Sequence, residues 1–445
     1  NINTAIGRKA LYVYTTGQVN TAVGNYALDA NTTASNNTAV GAYSASTNTT
    51  GTANVAVGYK ALLSNETGDY NTAIGLEALQ ANTGSNNTAL GIRALEANTT
   101  ADNNTAVGRE TLKVNTTGAG NVAVGALALT ANTTGEHNIA IGYAAGTSNT
   151  TGQDTTSIGY GALSGNTTGN HSTAVGKQAL QNNTTAHDNT AVGYQALKAN
   201  TTGTRNVGIG ASALTANTTA QQNSAVGYMA LFANTTGEYN TALGRGGFSE
   251  YTSVNSNTGV GSVSFVANTT GAQNTAVGDR ALAANTTGAR NTAVGYLALN
   301  DSTTASYNTA VGDNALAVNT TGASNTAVGQ QSLDANTTGE QNTALGVNAL
   351  GANTTASSNT AVGDDCLRSN TTGTVNTAVG QGALYTNTTA SYNTAVGNSA
   401  LYTSTGEKNT AVGYFALVNN TTAVNNTAVG HVALQANTTG SDNTG

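Results

Sequence analysis

The chain repeats one seventeen-residue sequence, Asn-Thr-Ala-Val-Gly-x-x-Ala-Leu-x-x-Asn-Thr-Thr-Gly-x-x, almost from end to end. Counting from Asn3, 26 complete copies precede the partial repeat 443–445, and only the copies that begin at Asn71 and Asn393 are one residue shorter. A period this short and this regular is typical of a chain that stacks along one axis, and not of a globule with a central core. The repeat therefore predicts one continuous array over residues 1–445. Because the array begins and ends within the pattern, we expect it to be part of a longer protein.

Repeat positions are numbered 1 to 17 from the first asparagine. Position 5 is Gly in all 26 copies, which indicates a positive φ angle or a turn too crowded for a Cβ atom. Thr-Ala-Val at positions 2–4 predicts a short β-strand with Thr and Val on one face and Ala on the other. Ala-Leu at positions 8 and 9 predicts a second short strand, and Asn-Thr-Thr-Gly at positions 12–15 predicts a turn. Each repeat thus predicts one coil of an all-β parallel β-solenoid, or β-roll.

Burial explains why such coils must stack. One coil offers about two large apolar side chains, from positions 4 and 9, worth roughly 1.5–3 kcal/mol each when buried. Fixing the backbone costs on the order of 1–2 kcal/mol per residue, so a single coil is not expected to fold alone. With coils ~4.8 Å apart, the full array would form a rod about 125 Å long.

Two further rows of residues carry structural predictions. The Asn of position 1 predicts a ladder of side-chain amides along the axis, as in cross-β assemblies. The small Ala of position 3 predicts a face on which a second copy of the chain packs closely, in a symmetric homotrimer. A single-chain solenoid polymerised into a filament is the alternative.

The segments 20–24 (Asn-Thr-Ala-Val-Gly) and 71–75 (Asn-Thr-Ala-Ile-Gly) resemble the head repeats of trimeric autotransporter adhesins, which centre on Ser/Asn-x-Ala-Ile/Val-Gly. The longer unit at 189–197 is similar to repeat arrays of phage-type tail fibres. The resemblance covers essentially the whole chain and implies a left-handed roll, packed three to an axis. Adhesin heads usually have a shorter repeat, so the resemblance also implies an enlarged outer loop at Asn-Thr-Thr-Gly.

Charge and hydropathy exclude several classes of partner. The net charge is only −7 over 445 residues, and the basic residues are scattered, so no nucleic-acid partner is predicted. No apolar run approaches the roughly 20 residues that span a bilayer, so no membrane insertion is predicted in this segment. The predicted partner is the chain itself, and cell-surface glycans are the other partner considered.

The residues that usually carry catalysis form no recognisable set. His137, His171, His187 and His431 occupy variable positions, do not cluster in sequence and do not pair with cysteine at metal-ligand spacing. Cys366 stands where the repeat usually has Ala, which predicts a small buried thiol. We therefore predict no catalytic residue, no metal site and no cofactor, and the chain is not expected to be an enzyme.

Modification and surface recognition remain as chemistry that the repeat could support. Tyrosines concentrate at positions 6 and 17, where they are expected to cover coil edges; stacking on sugars is the alternative. Phe248 and Phe265 share one phase in adjacent coils and are predicted to stack, within an irregular segment around Tyr251 and Ser253 that is read as a local irregularity or, alternatively, an attachment site. Asn-Thr-Thr is also an N-glycosylation sequence. The candidate glycosylation sites are Asn31, Asn98, Asn115, Asn132, Asn166, Asn200, Asn217, Asn234, Asn268, Asn285, Asn319, Asn336, Asn353, Asn370, Asn387 and Asn437.

A chain that repeats its structural residues so faithfully is expected to be built for length. The sequence therefore predicts the shaft of an extracellular fibre, adhesin or phage-type tail fibre that holds a tip domain away from a surface. Its predicted location is extracellular, on a cell surface or a virion. A repetitive rod that binds glycan or ice, and a self-assembling extracellular filament, are the alternatives.

Overall fold

A computed structural model describes residues 2–14, 16–248 and 253–445. The chain divides into two compact units, Asn1–Gln222 and Asn223–Gly445, and each unit is a parallel β-solenoid whose described residues contain strands and turns but no helix. The predicted fold class, all-β with one seventeen-residue repeat per coil, is confirmed. A single continuous array, left-handedness and trimer or filament packing stay predictions.

Each repeat contributes one three-residue strand. The first unit contains β1 (Thr4–Ile6), β2 (Thr21–Val23), β3 (Thr38–Val40), β4 (Val55–Val57), β5 (Thr72–Ile74), β6 (Thr88–Leu90), β7 (Thr105–Val107), β8 (Val122–Val124), β9 (Ile139–Ile141), β10 (Thr156–Ile158), β11 (Thr173–Val175), β12 (Thr190–Val192) and β13 (Val207–Ile209). The second unit contains β14 (Ser224–Val226), β15 (Thr241–Leu243), β16 (Thr258–Val260), β17 (Thr275–Val277), β18 (Thr292–Val294), β19 (Thr309–Val311), β20 (Thr326–Val328), β21 (Thr343–Leu345), β22 (Thr360–Val362), β23 (Thr377–Val379), β24 (Thr394–Val396), β25 (Thr410–Val412) and β26 (Thr427–Val429).

Within each unit, successive strands pair in parallel and in register. Strands β11 and β12 are representative, because they place Thr173 beside Thr190 and Val175 beside Val192. The amide of Gly193 donates to the carbonyl of Val175 in the preceding coil at 2.8 Å. Identical repeat positions therefore form continuous rows along each unit. A side chain lies beside the side chains of the same repeat position in the coils on either side.

The invariant glycine at position 5 is required for both of the predicted reasons. Gly193 has a φ angle of 135°, which L-residues with a Cβ rarely adopt. A Cβ added to Gly193 would also lie 2.5 Å from the carbonyl oxygen of Gly210 in the next coil. Backbone conformation and coil-to-coil packing thus each exclude a side chain here.

The two faces of the strand are assigned opposite to the prediction. Ala174 and Ala191 at position 3 are fully buried, whereas the position-4 side chain of Leu345 is 47% exposed. The interior is narrow and already holds the position-9 leucines and two asparagine rows, so it has room for a methyl group and not for a branched side chain. The predictions that Val fills the core and that Ala faces a partner are therefore wrong.

The predicted second strand is also wrong, although its leucine fills the core as expected. Gln195 and Leu197, at positions 7 and 9, have φ angles of 56° and 51°, in the left-handed region. Leu197 is nevertheless fully buried, and its amide donates to the carbonyl of Ala213 in the next coil at 2.9 Å. Positions 7–9 thus form a turn that directs the leucine into the core and stays hydrogen-bonded to the next coil.

Two buried asparagine ladders run along the coils. The predicted ladder at position 1 is confirmed, since Asn104 Oδ1 accepts from the amide of Asn121 at 2.9 Å. A second ladder, which was not predicted, runs along position 12, where Asn132 Nδ2 donates to Asn115 Oδ1 at 2.8 Å and to the carbonyl of Gly135 at 2.9 Å. Because positions 12 and 15 face inward, Asn-Thr-Thr-Gly is a wall of the coil and not the outer loop that the resemblance implied.

Position 15 obeys a rule that spans neighbouring coils. It is Gly or Ala in every copy except one, which has Val254, and no two successive copies both carry a side chain there. Gly203, for example, lies between coils that carry Ala186 and Ala220, and a Cβ on Gly203 would overlap the carbonyl oxygen of Ala220. The same overlap occurs at Gly118, whose Cβ would meet the carbonyl oxygen of Gly135, so the main chain of the next coil and not its side chain excludes a Cβ.

The irregular coils of the second unit keep their core volume by exchange. Phe248 and Phe265 are fully buried and stack as predicted, with ring centroids 4.9 Å apart and ring planes 16° from parallel. Gly259 replaces the usual position-3 alanine, and a Cβ there would overlap the Phe248 ring. Tyr251, at the centre of the predicted irregularity, lies outside the described residues.

Candidate interaction surfaces

The outward face of the strands is a two-row surface of Thr and Val, which we call the sheet face. Position-4 side chains on it are half-exposed to exposed, for example Ile74 at 37% and Leu90 at 45%. The in-register pairing of β5 and β6 places these two side chains side by side. The sheet face is thus an unbroken apolar row flanked by threonines within each unit.

The candidate glycosylation asparagines form the position-12 ladder. All of the predicted set are fully buried except Asn437, which is partly exposed in the last complete coil. In the ladder the side-chain amide nitrogen of Asn132 donates two hydrogen bonds inside the coil. A glycan would replace one of the two hydrogens on this nitrogen, so one of the bonds would be lost, and it would have no space beside the next coil. Glycosylation stays a prediction, and the geometry directs its test to Asn437.

The two threonine rows of Asn-Thr-Thr differ in the use of their hydroxyl groups. Thr133, at position 13, donates its hydroxyl to the carbonyl of Thr150 in the next coil at 3.1 Å. Thr134, at position 14, is exposed. Within Asn-Thr-Thr, the exposed row is therefore that of position 14. Ice binding stays an alternative, and a thermal-hysteresis assay remains its test.

Tyrosines line the outer edges of the coils, and several stack on a neighbour. Tyr143 and Tyr160 at position 6 have ring centroids 5.4 Å apart, and both rings are about half exposed. A different stack at position 10, Tyr385 on Tyr402, has centroids 4.9 Å apart and ring planes 7° from parallel. This second pair was not predicted, although Tyr385 and Tyr402 share position 10 of adjacent copies.

A shallow channel, which we call the trough, runs beside that second pair in the second unit. Its walls are the side chains of positions 7 and 10, and its floor is the main chain of positions 8 and 9, whose side chains are buried. It contains two adjacent cavities of about 400 and 250 Å³. The residues that define the trough are Gln331, Asn348, Asp365, Ser399, Asp334, Arg368, Tyr385 and Tyr402, with Gly351 and Gly382 in the gaps.

The thiol of Cys366 is placed as predicted, in the interior. It is fully buried, and burial raises its pKa to about 12. A thiol with so high a pKa stays protonated near neutral pH and is a poor nucleophile.

Three histidines that do not cluster in sequence, His137, His171 and His187, each lie beside an aspartate in the structure. His171 lies 3.7 Å from Asp154 and 3.4 Å from Asp188, and His187 Nδ1 lies 2.9 Å from Asp188. The hydrogen bond from His187 lowers the pKa of Asp188. His137, Asp154, His171 and Asp188 thus form an alternating column of histidine and aspartate at position 17, on the outside of the first unit.

Comparison with known proteins leaves the resemblance to adhesins and tail fibres as a prediction. No protein-family model matches the chain, and no curated protein sequence matches it. Across the described residues, no helix is long and apolar enough to cross a membrane. In the same part of the chain, no group of three or more His, Cys, Asp or Glu side chains is placed to hold a metal ion.

Proposed function

We propose that the chain is the shaft of an extracellular fibre, an adhesin or a phage-type tail fibre, located on a cell surface or a virion. In this role it holds a tip domain away from a surface, and it is a structural protein and not an enzyme. The observation that carries the proposal is the redundancy of the bonding between coils. Around Asn132, neighbouring coils are joined by strand amides, by two asparagine ladders and by the Thr133 hydroxyl.

This bonding suits a part that carries load along its axis. Pulling one coil away from the next breaks several hydrogen bonds together and exposes a buried leucine, so separation is costly at every level. Because the same contacts recur in each repeat, length can be added without a new core. Thirteen coils ~4.8 Å apart give each unit a length of roughly 60 Å.

The sheet face supports self-association, with a homotrimer as the leading arrangement and a filament as the alternative. If each position-4 side chain leaves about 50 Å² in water, thirteen coils present on the order of 700 Å² of apolar surface. That area is close to the ~800 Å² that each partner buries in a standard interface, and it exceeds the few hundred Å² of a typical monomer patch. We therefore place the predicted contact between chains on Thr and Val, and not on Ala.

Immunogold electron microscopy of the intact source cells or particles tests the shaft. Antibodies raised against the recombinant chain are expected to label a stalk between the surface and its tip. Label confined to the cell interior, or to the tip alone, would refute the proposal.

Light scattering on the recombinant full chain tests the oligomer. A trimer has three times the chain mass of 44.1 kDa. The double variant Val328→Lys and Leu345→Lys on the sheet face is expected to dissociate it. The matched variant Thr338→Lys and Thr355→Lys, in the same coils on the exposed position-14 row, is expected to leave it intact. A monomeric wild-type chain would exclude the trimer, and a trimer that survives both variants would exclude the sheet face.

A further inference from the structure

The trough in the second unit has the shape of a ligand site that neither a shaft nor a chain-to-chain contact requires. It crosses five coils, from Gln331 to Tyr402, and is therefore roughly 19 Å long. Among the 26 copies, position 10 is Gly only at Gly351, and position 7 is Gly at Gly161, Gly246 and Gly382. Here each wall contains a glycine, Gly382 at position 7 and Gly351 at position 10, and each gap lies in one of the two cavities.

Both gaps are bordered by groups that can hold a ligand. At Gly351, a Cβ would lie 3.4 Å from the Asp334 carboxylate, which therefore turns into the gap. At Gly382, a Cβ would lie 3.3 Å from the ring of Tyr402. One end of the trough thus presents a carboxylate, and the other presents the Cδ2 and Cε2 atoms of the Tyr402 ring.

The polar groups between the two gaps are already held in place. Asp365 Oδ1 accepts from Arg368 Nη1 at 3.0 Å and from Asn348 Nδ2 at 3.3 Å. Arg368 Nη1 also donates to the Tyr385 hydroxyl at 3.4 Å. Groups oriented before binding lose less side-chain entropy when a ligand arrives.

The charge of the trough selects against anions. Arg368 is paired with Asp365 of the opposite wall, and Asp334, on the same wall as Arg368, is a second carboxylate. Burial raises the pKa of Asp334. An acidic ligand would meet two carboxylates, whereas a neutral hydroxylated ligand would meet acceptors and amide donors.

We propose that the trough between Gln331 and Tyr402 binds a neutral oligosaccharide. A pyranose ring has an apolar C–H face and a rim of hydroxyl groups. The rings of Tyr385 and Tyr402 stack on each other and offer the first their apolar ring edges, and Asn348, Asp365 and Asp334 provide partners for the second. The long open channel suits a chain of several sugars, and not a single compact molecule.

This assignment differs from the exposed tyrosines at positions 6 and 17 that the sequence singled out. Tyr296, at position 6 of another coil in the same unit, is 50% exposed. It lines neither of the two cavities. A sugar that stacked on any exposed tyrosine would use Tyr296 as readily as Tyr402, which makes Tyr296→Ala a matched control.

Isothermal titration of the full-length chain tests the site with a panel of defined oligosaccharides. The panel contains cellohexaose, maltohexaose and mannohexaose as neutral probes, and trigalacturonic acid as the acidic probe. At least one neutral hexasaccharide is expected to bind in the micromolar-to-millimolar range. Tyr402→Ala is expected to weaken that binding at least tenfold, and Gly351→Gln, which fills a gap without touching the aromatic pair, is expected to weaken it similarly.

Circular dichroism and the melting temperature of both variants should match those of the wild type. A loss of binding can then be told apart from a loss of fold. If Tyr402→Ala unfolds the coil, Gly351→Gln decides the question. Tyr296→Ala should bind normally. The proposal is overturned if no neutral probe binds at millimolar concentration, if the acidic probe binds as well as the neutral ones, or if binding survives Gly351→Gln. Each of these results would leave the shaft function untouched.

Discussion

Replacing one asparagine of the position-12 ladder measures how much the ladders stabilise a coil. Asn132 Nδ2 donates to Asn115 Oδ1 at 2.8 Å and to the carbonyl of Gly135 at 2.9 Å. Asn132 Oδ1 accepts from Asn149 Nδ2 at 2.9 Å. Asn132→Ala removes these three bonds from a site with no access to water.

The magnitude follows from which partners are left unpaired. The carbonyl of Gly135 keeps a donor, because Asn121 Nδ2 bonds to it at 3.0 Å, and Asn149 Nδ2 keeps the carbonyl of Gly152 at 2.9 Å. Asn115 Oδ1 loses the donor that Asn132 supplied. At about 1 kcal/mol for each lost bond, the variant should destabilise its coil by about 3 kcal/mol.

Hydrogen exchange of backbone amides measures this destabilisation separately for each coil. Because the stability of a stack is a sum over neighbouring coils, exchange should accelerate about a hundredfold near Asn132, since 1.4 kcal/mol is a factor of about ten. Amides several coils away should be unchanged. Asn132→Ser should cost less, since Ser404 occupies position 12 naturally and its hydroxyl accepts from Asn420 Nδ2 at 3.2 Å.

The control is Thr134→Ala, two residues away on the exposed outer row. It should change local exchange by less than threefold. Equal effects of Asn132→Ala and Thr134→Ala would refute the reasoning, because they would show that the buried ladder contributes no more than a surface hydroxyl.

Three further predictions test the core and the surface. Since burial raises the pKa of Cys366 to about 12, a thiol reagent at pH 8 should label the chain only after unfolding in guanidinium; rapid labelling of the folded chain would contradict the buried placement. Gly259→Ala should lower the unfolding free energy by about 1–3 kcal/mol, because its Cβ overlaps Phe248. In chemical denaturation, adding Phe248→Leu should restore most of this loss. Additive losses from the two substitutions would contradict the idea that the missing methyl group at Gly259 makes room for the Phe248 ring. The hydrogen bond from His187 lowers the pKa of Asp188 below its ordinary value of 3.8. The stability that this bond contributes is therefore present above pH 3.8 and is lost as the pH falls through the lowered pKa. His187→Gln should raise the pKa of Asp188 in a carbon-detected NMR titration, and an unchanged titration would exclude the contact.

Much of the architecture could be predicted because a constant repeat length implies that each repeat forms one coil of the same geometry. An invariant glycine every seventeen residues indicates a backbone turn that recurs at one phase, and stacking follows because one coil cannot bury enough surface alone. The position-1 ladder and the buried leucine of position 9 follow from the same reasoning. The stacking of Phe248 on Phe265 needs only their shared phase.

Other features depend on contacts that a single repeat does not contain. Leucine is not a residue that propensity places in the left-handed region, yet Leu197 has a φ angle of 51°. That conformation persists because the buried side chain and the hydrogen bond to the next coil compensate for its cost. The absence of side chains in successive copies at position 15 is likewise a feature of neighbours, so no copy reveals it alone.

The sequence by itself determined that the chain stacks in coils, where each coil turns, and that a strand of Thr-Ala-Val has one face of Ala and one of Thr and Val. Only the tertiary structure decided which face is inside, because that choice depends on the width left by the leucine and the two asparagine ladders. It also decided where a ligand could bind. The two walls of the trough, such as Asp365 and Arg368, meet over buried Ala and Leu only when successive coils are stacked in register.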